Sequence, residues 1–225
     1  MTDSTSIKKR GPVLVSDFDG TMTRHDFYKL VIEKLLPPET PNYWDLYRSG
    51  QITHFEGLRR YFADIRASET EVMEIIRQME LDPNLHDSIE RLQDAGWEVT
   101  VTSAGCGWYI GQHLSQADVE VVVHTNPGHF ERGKGLIMEK PTDSPFLSEK
   151  VGINKAAVVR HFLDAGRTVA FAGDGFTDAD AARLVPAHLR FARSDLVDVL
   201  TKEGLAFHLF DRWSEIAHKL LEPKD

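Results

Sequence analysis

Short apolar runs of about five residues alternate with longer helix-patterned stretches along most of this 225-residue chain, and no other feature restricts its fold so tightly. Strand-like runs fall at 12–16, 97–102, 119–124, 168–172, 188–192 and 205–210. Helical patterning falls between them, at about 84–95, 106–116, 154–165, 177–184, 194–203 and 211–221. Strand then helix, repeated, builds an α/β fold, a parallel sheet with helices on both faces. Residues 25–83 break the rhythm. They carry no strand pattern, but Thr53-x-x-Glu56 and Ser68-x-x-Glu71 read as capping boxes and Pro37-Pro38 as a stop. An all-helical insertion acting as a lid is expected there, set on a core of residues 1–24 and 84–225. Within that core, Asn126-Pro127-Gly128 and Gly133-Lys134-Gly135 are turn signals around short apolar pieces, which predicts a β-hairpin or loop over 125–152.

The chemistry gathers at strand ends. Val13-Leu14-Val15 delivers Asp17-Phe18-Asp19-Gly20-Thr21, two carboxylates that strand alternation points the same way, into the crevice where open α/β sheets bind ligands. Neighbouring like charges need a cation or a shared proton, so the pair implies Mg²⁺ or acid–base work. A second run delivers Gly173-Asp174-Gly175-Phe176-Thr177-Asp178, a third ends in Thr102-Ser103-Ala104-Gly105, and Lys155 stands near the start of a helical stretch. Ser103 and the amides after it, from Ala104 on, suit an anion, and a lysine beside them would add positive charge. Thr21 reads equally as a hydrogen-bonding neighbour of Asp17 and as a cap for the next helix.

This ordered set, DxDGT at 17–21, Ser103, Asn154-Lys155-Ala156-Ala157 and GDGxxD at 173–178, resembles the haloacid dehalogenase superfamily. Nearly the whole chain is similar to its phosphoserine-phosphatase-like branch, the methionine-salvage phosphatases above all. The resemblance implies a Rossmann-like core with a C1 cap at 25–83, and a Mg²⁺-dependent phosphatase working through an aspartyl-phosphate. It implies Asp17 as nucleophile and metal ligand, Asp19 as general acid and base, and Asp174 completing the Mg²⁺ site with Asp17 and the Asp19 carbonyl. Asp178 would approach the metal or orient Lys155. Asp26, nine residues after Asp17, matches the carboxylate that phosphoserine phosphatases use for a substrate amine, and Arg59 or Arg60 would meet a substrate carboxylate. Where that branch has Ser-Gly-Gly, this chain has Ser103-Ala104-Gly105. Rival readings are a phosphomutase, and a regulatory binding protein retaining the fold.

Composition narrows the partners. A net charge of −9 argues against nucleic acid and acidic membranes. No apolar run is long enough to span a bilayer, Met1 to Arg10 lacks a signal-peptide apolar region, and the single cysteine, Cys106, rules out an intrachain disulfide. A cytoplasmic enzyme, monomer or homodimer, acting on a small phosphorylated metabolite is expected. Gly128-x4-Gly133-Lys134-Gly135 imitates a phosphate loop without its final hydroxyl, Cys106 reads as small-residue packing, and His124 with His129 lacks a third metal ligand.

Overall fold

A computed structural model describes residues 11–223; the signal-peptide reading of Met1 to Arg10 lies outside them. Strand β1 (Val13–Ser16) leads into four helices, α1 (Phe27–Lys34), α2 (Tyr43–Arg48), α3 (His54–Ala63) and α4 (Glu69–Arg77), before α5 (Leu85–Asp94) returns the chain to β2 (Glu98–Cys106). There follow α6 (Gly107–Gln116), β3 (Val122–Asn126), the hairpin strands β4 (Gly128–Glu131) and β5 (Gly135–Met138), and the two-residue strands β6 (Leu147–Ser148) and β7 (Gly152–Ile153). The chain closes with α7 (Lys155–Asp164), β8 (Val169–Gly173), α8 (Ala179–Leu184), β9 (Arg190–Ala192), α9 (Ser194–Lys202), β10 (His208–Leu209) and α10 (Trp213–Leu221).

Six strands form one parallel sheet in the order β10-β9-β8-β1-β2-β3. β1 lies between β8 and β2, with Ser16 beside Ala172 on one side and Val101 on the other. The three strands therefore deliver Asp17, Gly173 and Thr102 at one level. Alternation along β1 divides the core. Leu14 packs with Val99, Val101 and Ala172 beneath α5, α6 and α10, whereas Val13 and Val15 pack with Val169 and Phe171 beneath α7, α8 and α9. The first cluster runs on through Phe18, Phe27 and Phe62 to Val72 and Ile76 of α4. The helical insertion and the sheet thus share one hydrophobic core.

The expected elements are present, with local differences that have physical causes. β2 continues to Cys106 instead of ending at 102, because its irregular last stretch is held from β3: the Asn126 side-chain amide donates to the Ala104 carbonyl (2.7 Å) and the Thr125 hydroxyl to the Gly105 carbonyl (3.0 Å). The predicted strand at 205–210 shrinks to the two-residue edge strand β10. The predicted helix at 177–184 opens with a 3-10 turn, Phe176–Asp178. Ser68 and Glu71 make a full capping box, but the one at Thr53 is half formed, since the Glu56 carboxylate turns to Arg59 and Arg60 instead of the Thr53 amide. The 125–152 segment does hold an antiparallel hairpin, β4 with β5. No helix of the described residues is long and apolar enough to cross a membrane.

Candidate active site

A cavity of about 470 Å³ opens at the ends of β1, β2 and β8, roofed by α1, α2 and α3. At its floor, Lys155 from the first turn of α7 places its Nζ 2.7 Å from Asp17 Oδ1 and 2.6 Å from Asp178 Oδ1. The other Asp178 oxygen accepts from the amides of Asp174 and Gly175, 3.1 and 2.9 Å away. Asp178 is fully buried, with both oxygens engaged. Its position follows from the 3-10 turn, which folds the side chain back under its own loop.

Asp17, Asp174 and Asp178 each bring an oxygen within 4.8 Å of the others. Burial, then the charge of Asp178, raises the Asp17 carboxyl to about 7 even with Lys155 beside it; burial and the charges of Asp17 and Asp178 raise Asp174 as well. Desolvation tends to lower Lys155, but the two carboxylates outweigh it and the ammonium is held above its ordinary value. Three close carboxylates facing one ammonium are an unbalanced set, and hard oxygen ligands in that arrangement fit a divalent cation. Gly20 makes room for it: its φ is +69°, and a Cβ there would stand 2.3 Å from Asp174 Oδ2. Thr21 is buried beside the same carboxylate, its hydroxyl donating to Asp174 Oδ1 at 3.4 Å; it does not cap α1, whose N-cap is Asp26.

Asp19 has a different environment. Its Oδ2 accepts from the Tyr109 hydroxyl at 2.6 Å, with the Ser103 hydroxyl at 3.5 Å, and its Oδ1 accepts from the Phe27 amide at 2.9 Å. Desolvation raises this carboxyl to about 6, opposed by the hydrogen bonds from Tyr109 and Phe27. Tyr109 is held by stacking on Phe27, ring centroids 4.2 Å apart. The Ser103 hydroxyl also accepts from the Gly105 amide at 3.0 Å. Ala104 lines the cavity, while a Cβ at Gly105 would fall 1.9 Å from the Tyr109 hydroxyl. Of the two glycines usual in the resembled branch, the one this chain keeps is the one whose side chain would collide.

The structure separates the expected cap residues. Asp26 lines the cavity, but its carboxylate is paired with Lys29 at 2.6 Å. Arg59 and Arg60 do not line it. Both reach along α3 to Glu56, at 2.8 Å each, and Arg60 also lies over the Tyr43 ring; a shared carboxylate on the helix holds them away from the cavity. In their place the insertion presents Tyr28, Trp44, Tyr47, Arg48, His54, Leu58 and Phe62. Sequence reasoning also missed Tyr109 and Asn126. An aromatic one turn into the helix after Ser103, and an asparagine ending the neighbouring strand, were the available signals. Cys106 is buried, its thiol pushed up to about 12 by desolvation, in keeping with a packing role.

A family model described as haloacid dehalogenase-like hydrolase matches residues 14–183, most of the chain and all of this cluster. The chain belongs to that hydrolase family. It is 25% identical over 207 residues to a 2-hydroxy-3-keto-5-methylthiopentenyl-1-phosphate phosphatase of Brevibacillus brevis, covering 91% of this chain and 92% of the relative. It is 24% identical to one of Bacillus velezensis, covering 92% and 88%. Among solved structures, a substrate-bound phosphoserine phosphatase superposes with a TM-score of 0.65 at 15% identity, covering 96% of this chain and 100% of that one, and a phospho-aspartyl intermediate analogue of phosphoserine phosphatase with 0.64 at 16%, covering 95% and 100%.

Proposed function

We propose that this chain is a Mg²⁺-dependent phosphomonoester hydrolase that acts on a small phosphorylated metabolite through an aspartyl-phosphate. What carries the reading is the division of labour between the two carboxylates at the end of β1: Asp17 lies against Lys155, while Asp19 is clamped by Tyr109 and the Phe27 amide with its carboxyl near 6. Asp17 is aligned by Lys155 for in-line attack on phosphorus, and the bond to the leaving oxygen breaks as Asp19 gives that oxygen its proton. Asp19, now a carboxylate, takes a proton from water as the water attacks the same phosphorus, and cleavage of the aspartyl bond releases inorganic phosphate and frees Asp17. A carboxyl near 6 suits both proton transfers. Ser103 and the amides following it would hold the phosphoryl oxygens. Bound Mg²⁺ would be held by Asp17 and Asp174, with the Asp19 carbonyl, and supplies charge neutralisation for the phosphoryl group. Asp178, its oxygens already engaged, fixes Lys155 and the Asp174 loop.

The relatives suggest two substrate types, and one observation favours the first. An amino-acid ester needs a free cation and a free anion on the roof, yet Asp26 is paired with Lys29, Arg59 and Arg60 with Glu56, and Arg48 with Asp45. The remaining roof is aromatic and apolar. We therefore read the substrate as 2-hydroxy-3-keto-5-methylthiopentenyl-1-phosphate or another phosphate ester with an uncharged leaving group, in preference to phosphoserine. Phosphate release from a panel of phosphometabolites, with Mg²⁺ and with chelator, tests the proposal. Release from esters with uncharged leaving groups exceeding that from phosphoserine, and lost on chelation, is the expected result; isomerised sugar phosphate without free phosphate would instead make it a phosphomutase.

A further inference from the structure

His54 is the first residue of α3 and lines the cavity beside Leu58 and Phe62. Its ring is fixed from two sides, by Trp44 at a centroid distance of 5.1 Å and by Tyr47, edge-on, at 5.6 Å. Trp44 is itself packed against Tyr28 and Tyr61. The ring nonetheless lacks polar partners. Its Nδ1 is buried without a hydrogen bond, as is the indole N–H of the adjacent Trp44. Buried polar groups are nearly always satisfied, so a ring that lines the cavity without a polar partner is where a ligand oxygen can supply one. Burial, assisted by the charge of Lys155, lowers His54 to about 4. At neutral pH it therefore offers one N–H donor and one lone pair and no charge.

We propose that His54 is a specificity-determining residue whose ring hydrogen-bonds an uncharged oxygen, a hydroxyl or a carbonyl, on the leaving group of the substrate. This rests on the phosphatase reading of the same cavity and adds the chemistry of its roof. A neutral imidazole can accept from a hydroxyl or donate to a carbonyl, but it is no counter-ion for a carboxylate. The aromatic and aliphatic groups around it suit the carbon chain that carries such an oxygen. Specificity of this kind is strong, since a site built for a hydrogen bond rejects an analogue that leaves its polar groups unpaired.

Calorimetry with non-hydrolysable phosphonates tests it, using 3-hydroxypentyl-, 3-oxopentyl- and pentylphosphonate with Mg²⁺ on the wild type, His54→Phe and His54→Gln. The wild type should bind at least one oxygenated probe about tenfold more tightly than pentylphosphonate, the size expected of one good hydrogen bond. His54→Phe keeps a flat ring between Trp44 and Tyr47 and should erase that ratio, whereas His54→Gln keeps a donor and an acceptor and should restore part of it. A ratio near one in the wild type, or a full ratio in His54→Phe, overturns the proposal. A measurement on the wild type alone covers the case in which a variant fails to fold: the His54 ring-nitrogen resonance should move with an oxygenated probe and stay with pentylphosphonate, and equal movement with both overturns the proposal. His54-dependent binding of the phosphonates with no phosphate released from the matching esters would remove the phosphatase reading and leave this one standing.

Discussion

At the scale of single residues, the proposed mechanism gives different chemistry to two aspartates only two positions apart. Asp17→Asn is nearly isosteric but removes the nucleophile, so phosphate release should fall below about 1% of wild type, a loss of roughly 2.7 kcal/mol or more, with the melting temperature kept or raised. Higher residual turnover would point to a nucleophile elsewhere. Tyr109 gives a sharper test, because its hydroxyl lowers the Asp19 carboxyl, which burial alone would put above 6. Asp19 must be ionised to take a proton from water. Tyr109→Phe should therefore move the acid limb of kcat to higher pH, by up to about one unit if the hydrogen bond contributes about 1 kcal/mol. An aryl phosphate with a good leaving group is the substrate to use, since the second step then sets the rate. An acid limb that stays put or moves down would remove Asp19 as the base.

At the scale of elements, what was legible in the sequence divides by how local each signal is. The ends of β1, β2 and β8 could be read because an apolar run followed by Asp-x-Asp, Ser-Ala-Gly or Gly-Asp-Gly carries both the strand and its chemistry within a few residues, and parallel strands deliver their ends to one side. Lys155 was legible for the same reason, since it opens a helix capped by Asn154. The roof was not. Which face a short helix turns inward depends on what packs behind it, and on α3 the Glu56 carboxylate takes both arginines while His54 and Leu58 meet the cavity. Tyr109 and Asn126 escaped notice because their partners, Asp19 and the Ala104 carbonyl, are distant in sequence. Arg59→Ala and Arg60→Ala should accordingly leave the ranking of substrates as it is and change stability by at most about 1 kcal/mol, the range of exposed ion pairs. A changed ranking in a substrate panel would return them to the site.

At the scale of the whole molecule, the acidic floor opposes folding unless a cation is bound. Asp17 and Asp174 have their folded-state pKa values raised, so the folded protein binds protons there that the unfolded chain has already released. Their contribution is favourable at low pH, declines as pH rises from the ordinary carboxylate range through the raised folded values, and becomes a full penalty above them. Removing one charge should relieve it. Metal-free Asp174→Asn is expected to melt at least about 3 °C above the metal-free wild type at pH 7.5, the shift that roughly 1 kcal/mol brings in a chain of this size. Mg²⁺ should raise the melting temperature of the wild type and leave that of Asp174→Asn nearly unchanged. Equal Mg²⁺ shifts in the two would place the cation elsewhere.

The core that runs without a break from the sheet into the insertion includes Phe27, Phe62, Val72 and Ile76, whereas Tyr47, Arg48 and His54 stand outside both hydrophobic clusters. Inherited variation meets these two sets differently. A change among the first disturbs the packing of sheet and lid together and is purged, while a change among the second alters little beyond the shape and polarity offered to a leaving group. Copies of such a chain can therefore diverge in diet while transmitting one reaction unaltered.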